Sequence, residues 1–272
     1  EQDAGIRGQA AHCRQQALSL PFVGHKPQAG QRLARVHAAL IAARMTPASA
    51  EQRLAQVYDD IARSARLARR SPDEITLIAV SKTQESDAIR PLLEAGHRDF
   101  GENRVQEAAT KWSALKADYP DVRLHLVGQL QSNKAGEAVA LFDAIHSVDR
   151  PSLVDAIAQA IEQSGRAPAC FIQVNLADEE QKGGCPVAAL PALLDHARDA
   201  GLRIAGLMCL PPADLEPAPW FALLAELAGR HDVTGLSMGM SGDYETAVTI
   251  GATHVRIGTA LFGERGSGDV RT

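Results

Sequence analysis

The chain has 272 residues, 28 Lys and Arg against 33 Asp and Glu, and a formal net charge of −5. Without a basic excess nothing points to nucleic acid, and no apolar run approaches the ~18–20 residues that cross a bilayer, so a membrane is not an expected partner either. The four cysteines, Cys13, Cys170, Cys185 and Cys209, form no C-x-x-C pair and no His/Cys metal cluster; this predicts a reducing compartment and a cytoplasmic location, with Cys170 and Cys209 as small core residues.

Residues 1–44 read differently from the rest of the chain. Pro21, Gly24, Pro27 and Gly30 fall in no period, and no apolar core of a secretory signal is present. Gln31–Arg44 suits a helix, and Met45 looks like a natural start. Residues 1–44 are therefore expected to be an extension, disordered or partly helical, residues 45–265 the folded domain, and residues 266–272 a tail.

From Ser49 the pattern tightens. Leu54, Val57, Ile61 and Ala65 keep a helical period behind Ser49 as N-cap, and Ser71-Pro72 stops it. Ile75-Thr-Leu-Ile-Ala-Val80 is a near-continuous apolar run, the mark of a strand buried on both faces, and it leads into Ser81-Lys82-Thr83. Strand and helix patterns then alternate. Further strands are expected at His97–Gly101, Arg123–Val127, Ala144–Val148, Cys170–Asn175, Arg203–Met208, Val233–Ser237 and Thr253–Ile257. Helices are expected at Asp87–Ala95, Asn103–Lys116, Asn133–Phe142, Pro151–Gln163, Val187–Ala200, Pro219–Gly229 and Tyr244–Ile250. Eight strands alternating with helices predict the α/β class and a single (β/α)8 TIM barrel. An open doubly wound sheet would show fewer strands and a Gly-rich turn after the first, which Ile75–Thr83 lacks.

In such a barrel the residues after each strand gather at one mouth, where ligand sites are built. Lys82 sits there, although a lysine after a strand is also what a solvated first turn looks like. The loops after strands seven and eight, Ser237–Ser241 and Gly258-Thr259, combine glycines with hydroxyls, a composition that suits an anion such as phosphate and equally an ordinary helix start. Arg256, between Val255 and Ile257, points either into the mouth or outward to a carboxylate on the helix ring. Facing in, a buried guanidinium needs an acceptor, and the pyridine nitrogen of pyridoxal phosphate is one. A lysine that condenses with an aldehyde must be neutral, its pKa brought down from ~10.4 by burial near another cation.

Five segments together resemble the pyridoxal phosphate homeostasis protein family: Ile78-Ala-Val-Ser-Lys-Thr83, Phe100-Gly-Glu-Asn-Arg-Val-Gln-Glu107, His125-Leu-Val-Gly-Gln-Leu-Gln-Ser-Asn-Lys134, Leu236-Ser-Met-Gly-Met-Ser-Gly-Asp243 and Val255-Arg-Ile-Gly-Thr-Ala-Leu-Phe-Gly263. The resemblance spans about residues 49–265. It implies a barrel like the N-terminal domain of alanine racemase, with pyridoxal 5′-phosphate carried on Lys82 as an internal aldimine. It further implies Asn103 beside the ring, Arg256 at the ring nitrogen, Ser237, Gly258 and Thr259 at the phosphate, and Met238 and Ser241 bordering the site. Glu102 and Gln106 are expected to support the loop. Lys182 matches a lysine usual in the family and reads either as a second amine for the aldehyde or as a solvated loop residue. The implied role is homeostasis of vitamin B6 in its phosphorylated form: binding, buffering and delivery, with apo-enzymes that use it as conceivable recipients and a monomer or weak dimer as the assembly. The alternative is an amino-acid racemase-like enzyme; a sugar-phosphate barrel enzyme is a third reading. The expectation is no dedicated turnover, because an arginine at the ring nitrogen makes a poorer electron sink than a carboxylate, and Tyr244, which opens a helix, reads as structural.

Overall fold

The computed structural model describes residues 48–179 and 181–263. The expectations for residues 1–44 and 266–272 lie outside these. The helices are α1 (Ala50–Leu67), α2 (Ser86–Glu94), α3 (Val105–Asp118), α4 (Ala135–Leu141), α5 (Pro151–Ser164), α6 (Leu190–Asp199), α7 (Ala218–Arg230), α8 (Tyr244–Ile250) and α9 (Thr259–Phe262). The strands are β1 (Thr76–Val80), β2 (Asp99–Glu102), β3 (Arg123–Leu126), β4 (Ala144–Val148), β5 (Ala169–Asn175), β6 (Cys185–Pro186), β7 (Ile204–Met208), β8 (Gly235–Ser237) and β9 (His254–Ile257).

Eight of the strands close a parallel barrel. Each pairs with the next in chain order, β5 pairs directly with β7, and β9 returns to β1 through Leu77↔Val255 and Ile78↔Arg256. Closure leaves the barrel no free edge, so its backbone donors and acceptors are paired without help from solvent. All eight expected strands are present, with ends shifted by a residue or two. The two-residue β6 was not expected; it pairs only with the carboxyl end of β5, Val174↔Cys185, inside a loop read as irregular.

Local signals account for the helix ends. Ser49 caps α1 through a reciprocal capping box with Gln52, the two bonds measuring 3.1 and 2.9 Å. The helix expected over Val187–Ala200 begins as a 3-10 turn, Val187–Ala189, and turns α-helical only at Leu190. Pro191 comes next, where its missing N–H costs no intrahelical bond.

Strand residues alternate between two environments. Leu77, Ala79, Leu124, Ile145, Val255 and Ile257 belong to the apolar core shared with the helices. Their neighbours turn into the barrel, where the rings of His125, His146, Phe171 and His254 pack together, His146 stacked on Phe171 at 4.2 Å. Barrel interiors are usually filled by branched aliphatic side chains. This one is aromatic and polar.

Candidate functional site

Lys82 stands just past the carboxyl end of β1 on a turn fixed from three sides. The Ser81 amide donates to Gly101 O at 2.9 Å, extending the β1–β2 ladder. The Ser81 hydroxyl donates to Glu102 Oε1 at 2.7 Å, and Trp112 Nε1 donates to the same oxygen at 2.9 Å. Lys111, on α3, donates to Ser81 O at 2.7 Å and forms ion pairs with Glu102 and Glu107 at 3.0 and 3.1 Å. Thr83 is next, with φ at 61°, a left-handed conformation unfavourable for a β-branched residue. Its amide is held by Glu107 Oε1 at 2.6 Å. Burial works against the Glu107 carboxylate, but the bonds from Thr83 and Lys111 outweigh it and lower its pKa. Glu102 is fully buried, and its Oε2 has no hydrogen-bond partner among the described residues. Glu102 thus supports the loop, as expected of it, whereas Gln106 is exposed on α3.

The Lys82 amine borders a cavity of about 390 Å³ at the barrel mouth, a volume within the usual range for small-molecule sites. Asn103, Ser241, Arg256, Gly258 and Thr259 share its wall, with Val80, Val127, Leu210 and Phe262 supplying apolar surface. Among the described residues the ionisable side chains of that wall are Lys82 and Arg256, both basic residues. Lys82 itself is exposed, so protein atoms do not supply the burial expected of it.

Arg256 points inward and is 4 % exposed, which resolves the ambiguity left by strand alternation. Its Nη1 donates to Ser237 Oγ at 2.7 Å and its Nη2 to Cys209 O at 2.8 Å. Both acceptors are neutral, and no carboxylate among the described residues forms an ion pair with it. Burial lowers its pKa, yet a guanidinium stays protonated. Two of its five donors are used by the protein, and the rest remain for a ligand acceptor.

The loop after β8 reaches the cavity through Met240, Ser241 and Gly242. Gly239 makes its turn at φ 92°, where a Cβ would sit 2.6 Å from the Ala247 Cβ. Ser241 Oγ accepts from the Ala260 amide at 3.3 Å, which ties this loop to α9. Among the described residues, the amides of Gly258 and Thr259 donate to nothing, which leaves two backbone donors at the wall for an anion. Ser237 and Met238 are fully buried and lie off the cavity wall. The Ser237 hydroxyl is shared between Arg256 and His146 Nδ1, the latter at 2.8 Å.

Lys182 also stands off the wall, in an ion pair with Glu179 at 2.7 Å and donating to Pro211 O at 3.1 Å. The Tyr244 hydroxyl donates to Asp60 Oδ2 at 3.0 Å and joins α8 to α1. The Cys209 thiol is pushed by burial up to about 12 and is unreactive near neutrality. Sequence reasoning missed the α3 strap, Glu107 and Lys111, and the interior histidines. The Glu107–Lys111 spacing of four residues on a helix was the visible signal for the strap.

The family model described as alanine racemase, N-terminal domain, matches residues 57–266. The chain is 40% identical over 224 residues to the pyridoxal phosphate homeostasis protein of Pseudomonas aeruginosa, covering 80% of this chain and 96% of that one. It is 37% identical over 228 residues to the protein of the same description from Escherichia coli K12, covering 78% and 95%. Among solved structures it resembles PipY of Synechococcus elongatus with PLP bound, at 43% identity and a TM-score of 0.66 over 75% of this chain and all of that one. Alanine racemase from Bacillus anthracis, 17% identical with a TM-score of 0.55 over 79% of this chain and 57% of that one, shares the fold.

Proposed function

The chain belongs to the pyridoxal phosphate homeostasis protein family, and on that premise we propose that it binds pyridoxal 5′-phosphate at the barrel mouth, with Lys82 as covalent anchor, and serves as a carrier of the cofactor. The observation that carries this reading is the pairing of Lys82 with Arg256 in one cavity, the second held by neutral acceptors alone. When bound, the cofactor supplies an aldehyde reactive toward a primary amine, a pyridine nitrogen and a phosphate.

Lys82 offers the amine on a turn that Glu107 and Lys111 hold in place. Arg256 offers N–H donors to the ring nitrogen, and a guanidinium there does not hand over a proton. Asn103, on the cavity wall, would stand beside the ring. Gly258 and Thr259 would offer amides, and Thr259 and Ser241 hydroxyls, to the phosphate, and the apolar side chains of the wall would pack against the ring. A carrier needs to hold the aldehyde without a second base opposite the lysine to move protons at the neighbouring carbon. A wall whose ionisable side chains, among the described residues, are Lys82 and Arg256 suits that task. Ser237 acts on the site from beneath its wall through its bond to Arg256, while Met238 packs in the apolar core.

Among the described residues no helix is long and apolar enough to cross a membrane, and Cys170, Cys185 and Cys209 are free thiols. A cytoplasmic monomer or weak dimer that hands the cofactor to apo-enzymes fits both observations. The test is spectroscopic. Purified protein mixed with pyridoxal 5′-phosphate is expected to gain a visible band and a borohydride-trapped adduct on the Lys82 peptide, both absent in Lys82→Ala. A wild type that stays colourless ends the reading. Steady racemisation of a free amino acid, lost in Lys82→Ala, would replace the carrier with an enzyme.

A further inference from the structure

A continuous line of hydrogen bonds crosses the barrel interior and ends on Arg256. Asp99 Oδ1 lies 3.0 Å from His125 Nε2, and His125 Nδ1 lies 3.1 Å from His146 Nε2. His146 Nδ1 is 2.8 Å from Ser237 Oγ, which is 2.7 Å from Arg256 Nη1. The five residues stand on β2, β3, β4, β8 and β9, and all are buried. Arg123 closes the far end, its guanidinium forked onto both carboxylate oxygens of Asp99.

The two ends set the direction of the line. A guanidinium only donates and an ionised carboxylate only accepts. Burial opposes the charge on Asp99, but the bonds from His125 and Arg123 outweigh it and hold the carboxyl at about 2, so it is ionised. Arg256 donates to Ser237, leaving the single hydroxyl proton for His146 Nδ1. His146 then donates from Nε2 to His125 Nδ1, and His125 donates from Nε2 to Asp99. Every proton on the line has an acceptor. Adding one to either imidazole turns His146 Nδ1 into a donor and strands the Ser237 hydroxyl proton, which has no other acceptor among the described residues. At His146 burial acts first and the Arg256 cation acts in the same sense, and both keep that ring neutral; His254, which also faces the pair, is itself held down at about 4, burial first. Asp99 and Arg123 meet the pair at its other end.

We propose that Asp99, His125, His146 and Ser237 are positioning residues for Arg256, a relay of orientation that pins one edge of the guanidinium so that its free donors face the cavity. Cys209 O fixes the second nitrogen at 2.8 Å, and together the two bonds set the plane of the fork. The line is not a proton path to the ligand, because its last member does not release a proton. The identity of the ligand group that meets Arg256 rests on the function proposed above; the line itself does not.

Two measurements decide it. Nitrogen-15 NMR of the ligand-free protein at pH 7.5 is expected to show His125 and His146 both neutral and both protonated on Nε2. A cationic ring, or a proton on Nδ1 of either, overturns the proposal. In the second, Ser237→Ala and His146→Phe are loaded with pyridoxal 5′-phosphate. The dissociation constant is expected to rise about tenfold, the worth of one hydrogen bond to a charged group, with the visible band displaced and the Lys82 adduct still trapped by borohydride. Folded variants with the wild-type constant and band overturn the proposal. A wild type that binds no pyridoxal 5′-phosphate removes the functional reading, while the NMR result still decides the line.

Discussion

A Cβ at position 128 would lie 2.3 Å from Asn103 O and 2.7 Å from its Cα, so the chain leaving β3 passes the turn after β2 only as glycine. That contact seats Asn103 at the cavity wall. Gly128→Ala is expected to push the Asn103 backbone aside, at a cost of about 1–3 kcal/mol for overpacking, and to weaken retention of pyridoxal 5′-phosphate several-fold. Urea unfolding reads the first effect and a spectroscopic titration the second; unchanged binding would place Asn103 away from the ligand. Residue types pointed to Lys82, Arg256, Gly258 and Thr259, the family resemblance added Asn103 and Ser241, and the fold brings all six to one wall. Ser237 shows where such reading stops. A serine ending a strand in a glycine-rich loop looks like a phosphate donor. Its use by His146 and Arg256 depends on β4 and β9, which lie 91 and 19 residues away in the chain.

Among the elements, α3 matters most to the site beside the strands. Its first two turns send Glu107 and Lys111 back over β1, where they hold the two peptide groups on either side of Lys82. Lys111 is 9 % exposed and sits between the Glu102 and Glu107 carboxylates. Lys111→Met would leave those carboxylates facing each other without a cation and free the Ser81 carbonyl. Breaking a buried pair in this way costs about 3–5 kcal/mol. Adding Glu102→Gln to that variant is expected to recover part of the loss, a non-additivity that urea unfolding of the four-member cycle measures. Strict additivity would show that the strap is not a unit. Strands β1 and β5 were legible as apolar runs because a strand buried on both faces needs no long-range information to be recognised. Strand β6 was not. Two residues in a polar loop become a strand through side chains from elsewhere: Gln173 donates to Gly183 O at 2.7 Å, and Asp149 accepts from the Gly184 amide at 3.3 Å.

For the molecule as a whole, the consequence of a polar barrel interior is a dependence of stability on pH. His125, His146 and His254 each read in sequence as a lone histidine in an alternating strand, and only closure of the barrel through β3, β4 and β9 puts their rings within 6.4 Å of one another. Burial, with a smaller contribution from the Arg256 cation, takes His254 down to about 4 and His146 well below its ordinary value; burial also lowers His97, outside the barrel. The unfolded chain has these groups near 6.5. Between about pH 6.5 and 4 it therefore binds protons that the native state does not, and stability falls as the pH falls through that window. For His254, which is partly exposed, the shift sets a ceiling on the order of 3 kcal/mol. Asp99 acts in the same sense but at lower pH: its native value of about 2 lies below the ordinary 3.8, so its stabilisation is complete above 3.8 and is lost only toward pH 2. It adds little to the decline in the histidines' window. The urea midpoint is accordingly expected to drop steeply from pH 7 to 4.5, and His254→Gln, which cannot take up a proton, should flatten the decline. A midpoint constant across that range would mean that the interior rings accept protons without unfolding, and the neutral line from Asp99 to Arg256 would lose its physical basis.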